Sequence, residues 1–414
     1  MKVSRTVSKS ALYQLISVLI LLSPQFVAII NGFFLAVFDV NLPIGNITRI
    51  AIIIYCIPYF LLMRFSWKNY YFVLLAITVL LFGFWWAIND HFSILREIEQ
   101  LLKLIYPVLI ACVLLHHSRY FSKEILLHTL LIFGLIGSLS IFFSYFTGIN
   151  VQAGRSYEFG INSFYIARNE ISLTLISILP LYVYFFLNTR KIKYFIYTLF
   201  TIGAVILLGN KSAFLGVAIT TLLFIPTLLM YGRKQIPWKI ETRLFVLIFI
   251  VILVVIGAVV SYQIISSYPH MVNDFKNLLT KHPRELLLEV SKTHFSTREL
   301  ANFIGEGFYS FGLAIQELHP SSHISGIGKL AENDLYDLWG AYGFIVGTLW
   351  LLPPVLLLII SIRRQIRHKT LLNYALFISI TLLVMHSLIV GHMLMSPLVS
   401  SVLAIHYFLV FKPD

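Results

Sequence analysis

The chain alternates between long apolar runs and short polar breaks over most of its 414 residues. Run length and the positions of the breaks predict about twelve membrane-crossing segments. Helices are expected rather than strands, because runs such as residues 244–262 are apolar throughout, without the alternation of a barrel strand. The predicted spans lie near residues 11–30, 47–62, 71–88, 101–115, 125–147, 169–187, 194–209, 212–231, 244–262, 336–362, 371–389 and 393–411.

The stretch 263–335 interrupts this pattern, and we expect it to form a large external loop. It contains two segments with helical, amphipathic spacing, one broken at Pro283 and the other ending after Gln316. Loops of this length are usually functional, and the apolar content predicts that this one lies on the membrane surface or folds back over the bundle. The chain is thus divided into spans 1–9 (1–262), the loop (263–335) and spans 10–12 (336–414).

Composition agrees with this division. Apolar residues make up 58% of the chain, charged residues 12%, and the mean hydropathy is +0.86. These values predict an all-α, polytopic membrane helix bundle of about twelve helices. The net charge of +13 does not indicate a nucleic-acid partner, because the cations lie in short loops between apolar runs. Cys56 and Cys112 fall inside apolar runs and are expected to be small core residues.

The positions of Lys and Arg orient the chain. If the N-terminus is cytoplasmic, every inward loop is basic, as the positive-inside rule requires, and both termini are cytoplasmic. The first apolar run is long and has no evident cleavage site, so we expect it to be retained as a helix. The remaining cations face outward against this bias: Arg49, Arg96, Lys103, Arg155, Arg168, Lys211, Lys276, Lys281, Arg284, Lys292, Arg298 and Lys329.

The segment 154–175 places Arg155 and Arg168 in an outward loop, just before Asn169 and Glu170 at a helix start. A capped helix whose dipole is matched by an acid explains Glu170. It does not explain the two arginines, whose planar sets of donors suit phosphate oxygens. A third outward cation, Lys211, lies between two apolar runs. It is either an interfacial anchor or a group held near a partner by a tight turn.

The loop adds further candidates. In the stretch STRE (296–299), Ser296 and Glu299 fit a capping box, and Arg298 would then lie in a first turn that favours anions. Arg298 therefore either pairs with an acid or completes a phosphate site. His319 and His323 are separated by a proline and have no evident third ligand, so we expect no metal.

Three acids, Glu332, Asp334 and Asp337, gather where the tenth apolar run begins. Asp334 and Asp337 are three residues apart at a helix start, so the helix dipole alone accounts for one or two of them. Three acids near a set of outward cations also favour a charged cavity. An effective dielectric near 20 makes each close opposite pair worth about 4 kcal/mol before desolvation.

Together these segments resemble the O-antigen ligase and polymerase superfamily. The resemblance rests on ARNEIS, LGNKSAFLG, STRE, the GIG turn and ENDLYDLWGAYGFIVG, in that order, over residues 150–362. It implies a membrane glycosyltransferase that takes glycans from undecaprenyl pyrophosphate at the outer face of the bacterial cytoplasmic membrane. Ligases for lipid A core are expected to carry a histidine–asparagine pair where this chain has Glu332, Asn333 and Asp334. The chain therefore looks more like a repeat-unit polymerase, while His319 and His323 keep a ligase open.

The resemblance implies a transfer that is independent of metals and cofactors, between two lipid-linked units. The departing pyrophosphate would be stabilised by Arg298, Lys211, Arg168 and Arg155. The base would be Asp334 or Glu332, with His323 in reserve, and Asp337 and Asn169 would support them. Expected partners are the lipid-linked oligosaccharides and membrane lipid. A flippase and a chain-length regulator are further candidates.

A flippase or transporter of lipid-linked glycan is a different class with the same spans and outward cations. It is expected to show internal repeats and ionisable residues near the midplane, and no convincing repeat is present. His386 and His406 lie in late apolar runs, where a lone histidine is more often a packing residue. No GxxxxGK[ST] motif occurs, so the activated substrate or a gradient would supply the energy.

Overall fold

The fold was analysed in a computed structural model that describes residues 2–62, 68–88, 92–120, 122–151, 160–232, 234–244, 248, 283–297, 299–318, 333–391 and 393–411. These residues form helices and the turns between them, and none of them lies in a strand. The predicted all-α membrane bundle is therefore confirmed. Helices suit a membrane because they satisfy their own backbone hydrogen bonds where no water is present.

Within these ranges eleven of the predicted spans coincide with a helix. The twelfth, near 244–262, falls almost wholly outside the described residues. Eight helices are long and apolar enough to cross a membrane, and α7, α8 and α14 are shorter apolar helices. In chain order the helices are α1 (Lys2–Phe38), α2 (Ile44–Leu62), α3 (Lys68–Ile88), α4 (Ile94–His117), α5 (Lys123–Thr147), α6 (Arg168–Thr189), α7 (Ile192–Leu208), α8 (Lys211–Met230), α9 (Pro283–Thr297), α10 (Glu299–Ile304), α11 (Phe308–Leu318), α12 (Asp334–Arg367), α13 (Leu371–Val390) and α14 (Pro397–Phe411).

Helix α6 lies at the centre of the bundle. It packs against α5, α7, α8, α13 and α14, and most of its residues are buried. Helices α1, α2 and α3 have few buried residues, and large apolar side chains are exposed on their outer faces. That exposure is expected of helices that face lipid, since hydrocarbon is as apolar as the side chains. The central position of α6 puts Arg168, Asn169 and Glu170 in the middle of one end of the bundle.

The two ends of the bundle are distinct. At one end Gln14 Nε2 donates to the carbonyl of Tyr120 (2.6 Å), and Gln235 Nε2 donates to that of Lys369 (3.0 Å). These contacts join predicted inward segments, and we call this end the basic end. The opposite end carries α9–α11 and the first residue of α6, and we call it the loop end.

Helix α12 is broken at Gly343, whose backbone angles (φ 76°, ψ 168°) are not helical. A Cβ at this position would lie 2.1 Å from the carbonyl oxygen of Phe303, so only glycine fits. The chain folds back at the break, and Trp339 Nε1 donates to Thr348 Oγ1 (3.0 Å). The predicted tenth span, residues 336–362, is therefore broken at this glycine, and Asp334 and Asp337 precede the break. They lie on a separate short helix, residues 334–342, which we call the outer segment of α12.

Part of the predicted external loop packs against the bundle, one of the two arrangements expected. Helix α9 begins at Pro283, the residue at which a break was predicted, and the second amphipathic segment is divided into α10 and α11. The division lies at Gly305–Glu306–Gly307, where Glu306 N donates to Gly340 O (3.0 Å) and Gly307 N to Ala341 O (2.9 Å). These bonds attach the loop helices to the outer segment of α12. Residues 263–282 and 319–332 of the predicted loop lie outside the described part.

A second attachment involves Glu97 on α4, which is fully buried. Its two carboxylate oxygens accept hydrogen bonds from the backbone N–H groups of Phe308 (2.9 Å) and Tyr309 (2.8 Å), at the start of α11. A carboxylate there satisfies donors that have no partner inside the helix and matches the positive end of its dipole. Arg96 lies over the ring of Tyr309, 4.1 Å from its centroid. The two hydrogen bonds that Glu97 accepts therefore attach α11 to α4.

Ser296, the two cysteines and His406 all have structural roles. The capping box is not formed at Ser296, which lies in the last turn of α9 and donates its hydroxyl to Thr293 O (2.8 Å). Cys56 and Cys112 are free and buried in the core, as predicted. His406 is fully buried and makes its hydrogen bonds inside the bundle, so the expectation of a packing residue is confirmed.

Candidate functional site

Polar side chains from four separate parts of the chain meet at the loop end. They come from the first turns of α6 and α8, the start of the outer segment of α12, and the end of α13 with the turn that follows it. We call this set the outer polar network. Its members are Asn169, Glu170, Asn210, Ser212, Asn333, Asp334, Asp337, His386, Ser387 and Ser396.

The starts of α6 and α8 are joined by a pair of asparagines. Asn210 Nδ2 donates to Asn169 Oδ1 (2.6 Å). Asn210 is also the N-cap of α8, and its Oδ1 accepts from the backbone N (3.2 Å) and the hydroxyl (2.8 Å) of Ser212. Arg168 and Lys211 are the first residues of the two helices. The asparagine bond therefore brings two predicted phosphate-binding positions to neighbouring helix starts.

His386 connects this pair to the far side of the site. Its Nε2 lies 3.1 Å from Ser212 Oγ, and its Nδ1 lies 3.3 Å from the carbonyl oxygen of Gly391. The side chain is buried near the end of α13. The sequence favoured a packing role for this histidine, whereas the structure places it between α8 and the turn after α13.

Asp334 fastens the outer segment of α12 to that turn. Its side chain is 3% exposed, and Oδ2 accepts from Ser387 Oγ (2.6 Å), Met393 N (3.0 Å) and Leu394 N (3.4 Å). A buried carboxylate is costly unless it is hydrogen-bonded, and three donors at one oxygen reduce that cost. Asp334 thus determines how the outer segment sits against the bundle.

Asn333 and Asp337 complete this corner. Asn333 is the N-cap of α12, with Oδ1 accepting from the backbone N of Leu335 (3.1 Å) and Tyr336 (3.3 Å). Its Nδ2 donates to Leu388 O. Asp337 Oδ2 in turn accepts from Asn333 N (3.2 Å), and both side chains are buried. The prediction that Asp334 and Asp337 lie in one first turn is confirmed.

Glu170 extends the site toward α2 and α4. Its Oε2 accepts the hydroxyl hydrogen of Ser396 (2.7 Å) in the turn before α14. Its charge also acts on Arg49 of α2 and Lys103 of α4. The sequence explained Glu170 as a partner of the helix dipole, and the structure adds the hydrogen bond with Ser396 and the charge interactions with Arg49 and Lys103.

The structure describes five of the nine predicted site positions. Arg168, Asn169, Asp334 and Asp337 are described with their side chains, and for Lys211 the backbone alone. They all lie at the loop end. The predicted Arg155, Arg298, His323 and Glu332 lie outside the described residues.

Sequence reasoning missed the residues that connect these positions, namely Asn210, Ser212, Ser387 and Ser396. The signal available for Asn210 was its place as an N-cap directly before an apolar run. Small hydroxyl residues near the ends of spans give no comparable signal.

Comparison with protein-family models identifies one family. A family model described as O-antigen ligase like membrane protein matches residues 9–280. The match includes the positions of Arg155, Arg168, Asn169 and Lys211. It ends before the loop helices and the acids of α12. No curated protein matches the chain. Membership indicates a multi-pass membrane enzyme that transfers glycans. The chain belongs to the O-antigen ligase-like family of membrane proteins.

Proposed function

We propose that the protein polymerises lipid-linked glycan repeat units at the outer face of the bacterial cytoplasmic membrane. In this reaction a glycan leaves undecaprenyl pyrophosphate and joins a hydroxyl of a second lipid-linked unit. One observation carries the proposal. The outer polar network connects the helix starts of Arg168 and Lys211 to the buried acids of α12 at one end of the bundle.

The first requirement of the reaction is to stabilise the departing pyrophosphate. A helix start presents backbone N–H groups without partners and the positive end of the dipole, so two adjacent starts favour an anion. Arg168 and Lys211 add a cation at each start. We assign these two residues to the pyrophosphate, with Arg155 and Arg298 as further members of the set. Cations that are in place before the reaction stabilise the charge that develops as the bond breaks.

The second requirement is a base for the proton of the attacking hydroxyl. Asp334 Oδ2 already accepts three hydrogen bonds, so a proton reaches that oxygen only if one of the donors is displaced. We therefore assign Asp334 to positioning the outer segment of α12. Glu332, two residues earlier in the chain, is assigned as the base, and His323 is its reserve. Asp337 and Asn169 support the site by holding Asn333 and Asn210.

Transfer of glycan to lipid A core is the second candidate, because the matched family is described by the ligase. The two reactions share the donor and differ in the acceptor. They therefore leave different products on a polysaccharide gel. A polymerase lengthens glycan on the lipid carrier, whereas a ligase moves finished glycan to the core.

The test is expression in a host that lacks its own copy, followed by gel analysis of the surface polysaccharide. Arg168→Ala and Glu332→Gln are compared with wild type and with Arg363→Ala, an exposed arginine near the basic end. We expect the two site variants to collapse the ladder to single repeats at unchanged protein level, and Arg363→Ala to keep it. Long glycan that stays on the carrier in the site variants would identify a ligase. Normal ladders in both would show that the site is wrong.

A further inference from the structure

Arg49 is an unusual cation in this bundle. It lies on α2, near the loop end, and continues the buried stripe formed by Ile53, Cys56 and Phe60. Its side chain is therefore directed at the seam between α2 and α4, where it is half-buried. The positive-inside rule gives no reason for an arginine at this end of a span.

The Nε of Arg49 is buried and has no hydrogen-bond partner among the described residues. A buried donor without a partner costs the free energy of removing it from water. A ligand that supplies the missing acceptor would remove this cost, and the remaining donors of the guanidinium could bind the same ligand. The observation therefore points to an anion that the protein binds at this seam.

The neighbouring charges are already engaged. Lys103 Nζ pairs with Glu99 Oε1 (3.1 Å) and donates to Gln100 Oε1 (3.2 Å). Glu170 accepts from the hydroxyl of Ser396. Glu99 and Glu170 interact with Arg49 through their charges but lie beyond ion-pair distance. The two acids, Glu99 and Glu170, offset the charges of Arg49 and Lys103, so net charge does not attract an anion here. Binding therefore depends on the planar set of donors of the guanidinium.

The surroundings indicate where the ligand comes from. Ile47, Ile50 and Ile54 are exposed on the lipid-facing side of α2, and Leu95 and Ile98 are exposed on α4. Apolar side chains therefore flank both sides of the seam that contains Arg49. A ligand that enters along such a seam is an amphiphile, with its tail in the hydrocarbon and its phosphate at the level of Arg49.

We propose that Arg49 binds the phosphate of a second lipid-linked substrate, apart from the pyrophosphate assigned to Arg168 and Lys211. The proposal rests on the proposed polymerase function, because that reaction, unlike transfer to lipid A core, uses two units on the undecaprenyl carrier at once. Glu170 follows Arg168 by two residues and is within electrostatic range of Arg49. Its negative charge keeps the two lipids at separate positions.

Native mass spectrometry of the purified full-length protein tests this proposal by counting bound lipids. The probes are undecaprenyl pyrophosphate without sugar and, separately, phosphatidylglycerol. We expect wild type to bind two molecules of undecaprenyl pyrophosphate, and Arg49→Gln and Arg168→Gln to bind one each. Loss of a charged hydrogen-bonding group is expected to weaken the affected site about tenfold to a hundredfold. Arg49→Lys is expected to recover little of this loss, because it lacks the planar set of donors.

Arg96→Gln is the matched control, since Arg96 is an exposed outward arginine on α4. It should retain two bound lipids, and thermal unfolding identifies any variant that fails to fold. Glu170→Gln should tighten binding at Arg49, because it removes a nearby negative charge. Two bound molecules in Arg49→Gln would overturn the proposal. So would phosphatidylglycerol that competes equally, which would reveal a general headgroup site.

The binding count and the polysaccharide ladder separate the two proposals. If wild type binds two carriers but forms no ladder in the host, the polymerase assignment fails, while the Arg49 site stands as a binding site. If the ladder forms and Arg49→Gln still binds two carriers, the polymerase assignment stands and Arg49 has no part in holding the second lipid.

Discussion

Replacing Glu97 with alanine removes the acceptor for two backbone N–H groups at the start of α11. Both bonds are short and buried, at 2.9 Å to Phe308 N and 2.8 Å to Tyr309 N. A hydrogen bond to a charged group contributes about 1.5–3 kcal/mol, and water that enters the new space recovers part of two such bonds. We therefore expect the attachment of α11 to weaken by about 3 kcal/mol, which is roughly a hundredfold in its opening equilibrium.

Hydrogen–deuterium exchange on protein in nanodiscs measures this opening directly. Amides of α11 should lose about two orders of magnitude of protection, while those of α6 should remain unchanged. Glu99→Ala is the matched control, because Glu99 lies two residues away and makes a partly exposed ion pair with Lys103. Its effect should stay below about 1 kcal/mol. Equal protection of α11 in wild type and Glu97→Ala would refute the idea that this carboxylate fastens the loop helices.

Three further substitutions test other parts of the structure. Gly343→Ala should sharply reduce the yield of folded protein, because the new Cβ meets a backbone carbonyl oxygen at 2.1 Å. Size-exclusion chromatography measures this yield. The control is Gly83→Ala, where nothing lies within 4 Å of the new Cβ, and its yield should be near that of wild type. Asn210→Ala removes a helix cap worth about 1 kcal/mol and should shorten the polysaccharide ladder; a normal ladder would contradict a role for the paired helix starts. Ser387→Ala should lower the melting temperature because Asp334 loses a donor, and an unchanged temperature would show that this bond adds no stability.

The hydropathy pattern was sufficient to locate the membrane helices, because length and apolarity are what the bilayer selects. It did not reveal the break in α12. The run around Gly343 is apolar on both sides, and a glycine in such a run looks the same whether it is helical or left-handed. The division between α10 and α11 had a stronger signal, since Gly305 and Gly307 stand two residues apart.

The candidate site was only partly predictable for a different reason. Arg168, Lys211 and Asp334 are conspicuous because charges are rare in this chain. Residues such as Ser387 act through partners that are distant in sequence, here Asp334. Nothing in the sequence around a serine in an apolar run indicates such a partner. Arg49 was visible as an outward cation, but the lack of a partner for its buried Nε among the described residues is a property of the folded chain alone.

The break at Gly343 also affects how this part of the chain enters the membrane. An aspartate at the centre of a spanning helix costs about 2.5–3.5 kcal/mol during insertion. The segment that follows the break, residues 344–362, contains no charged side chain. Asp334 and Asp337 lie before the break, on a helix that packs against other protein elements. The insertion machinery can therefore receive a helix without charges, and the two acids reach their buried positions later, when the bundle assembles around them.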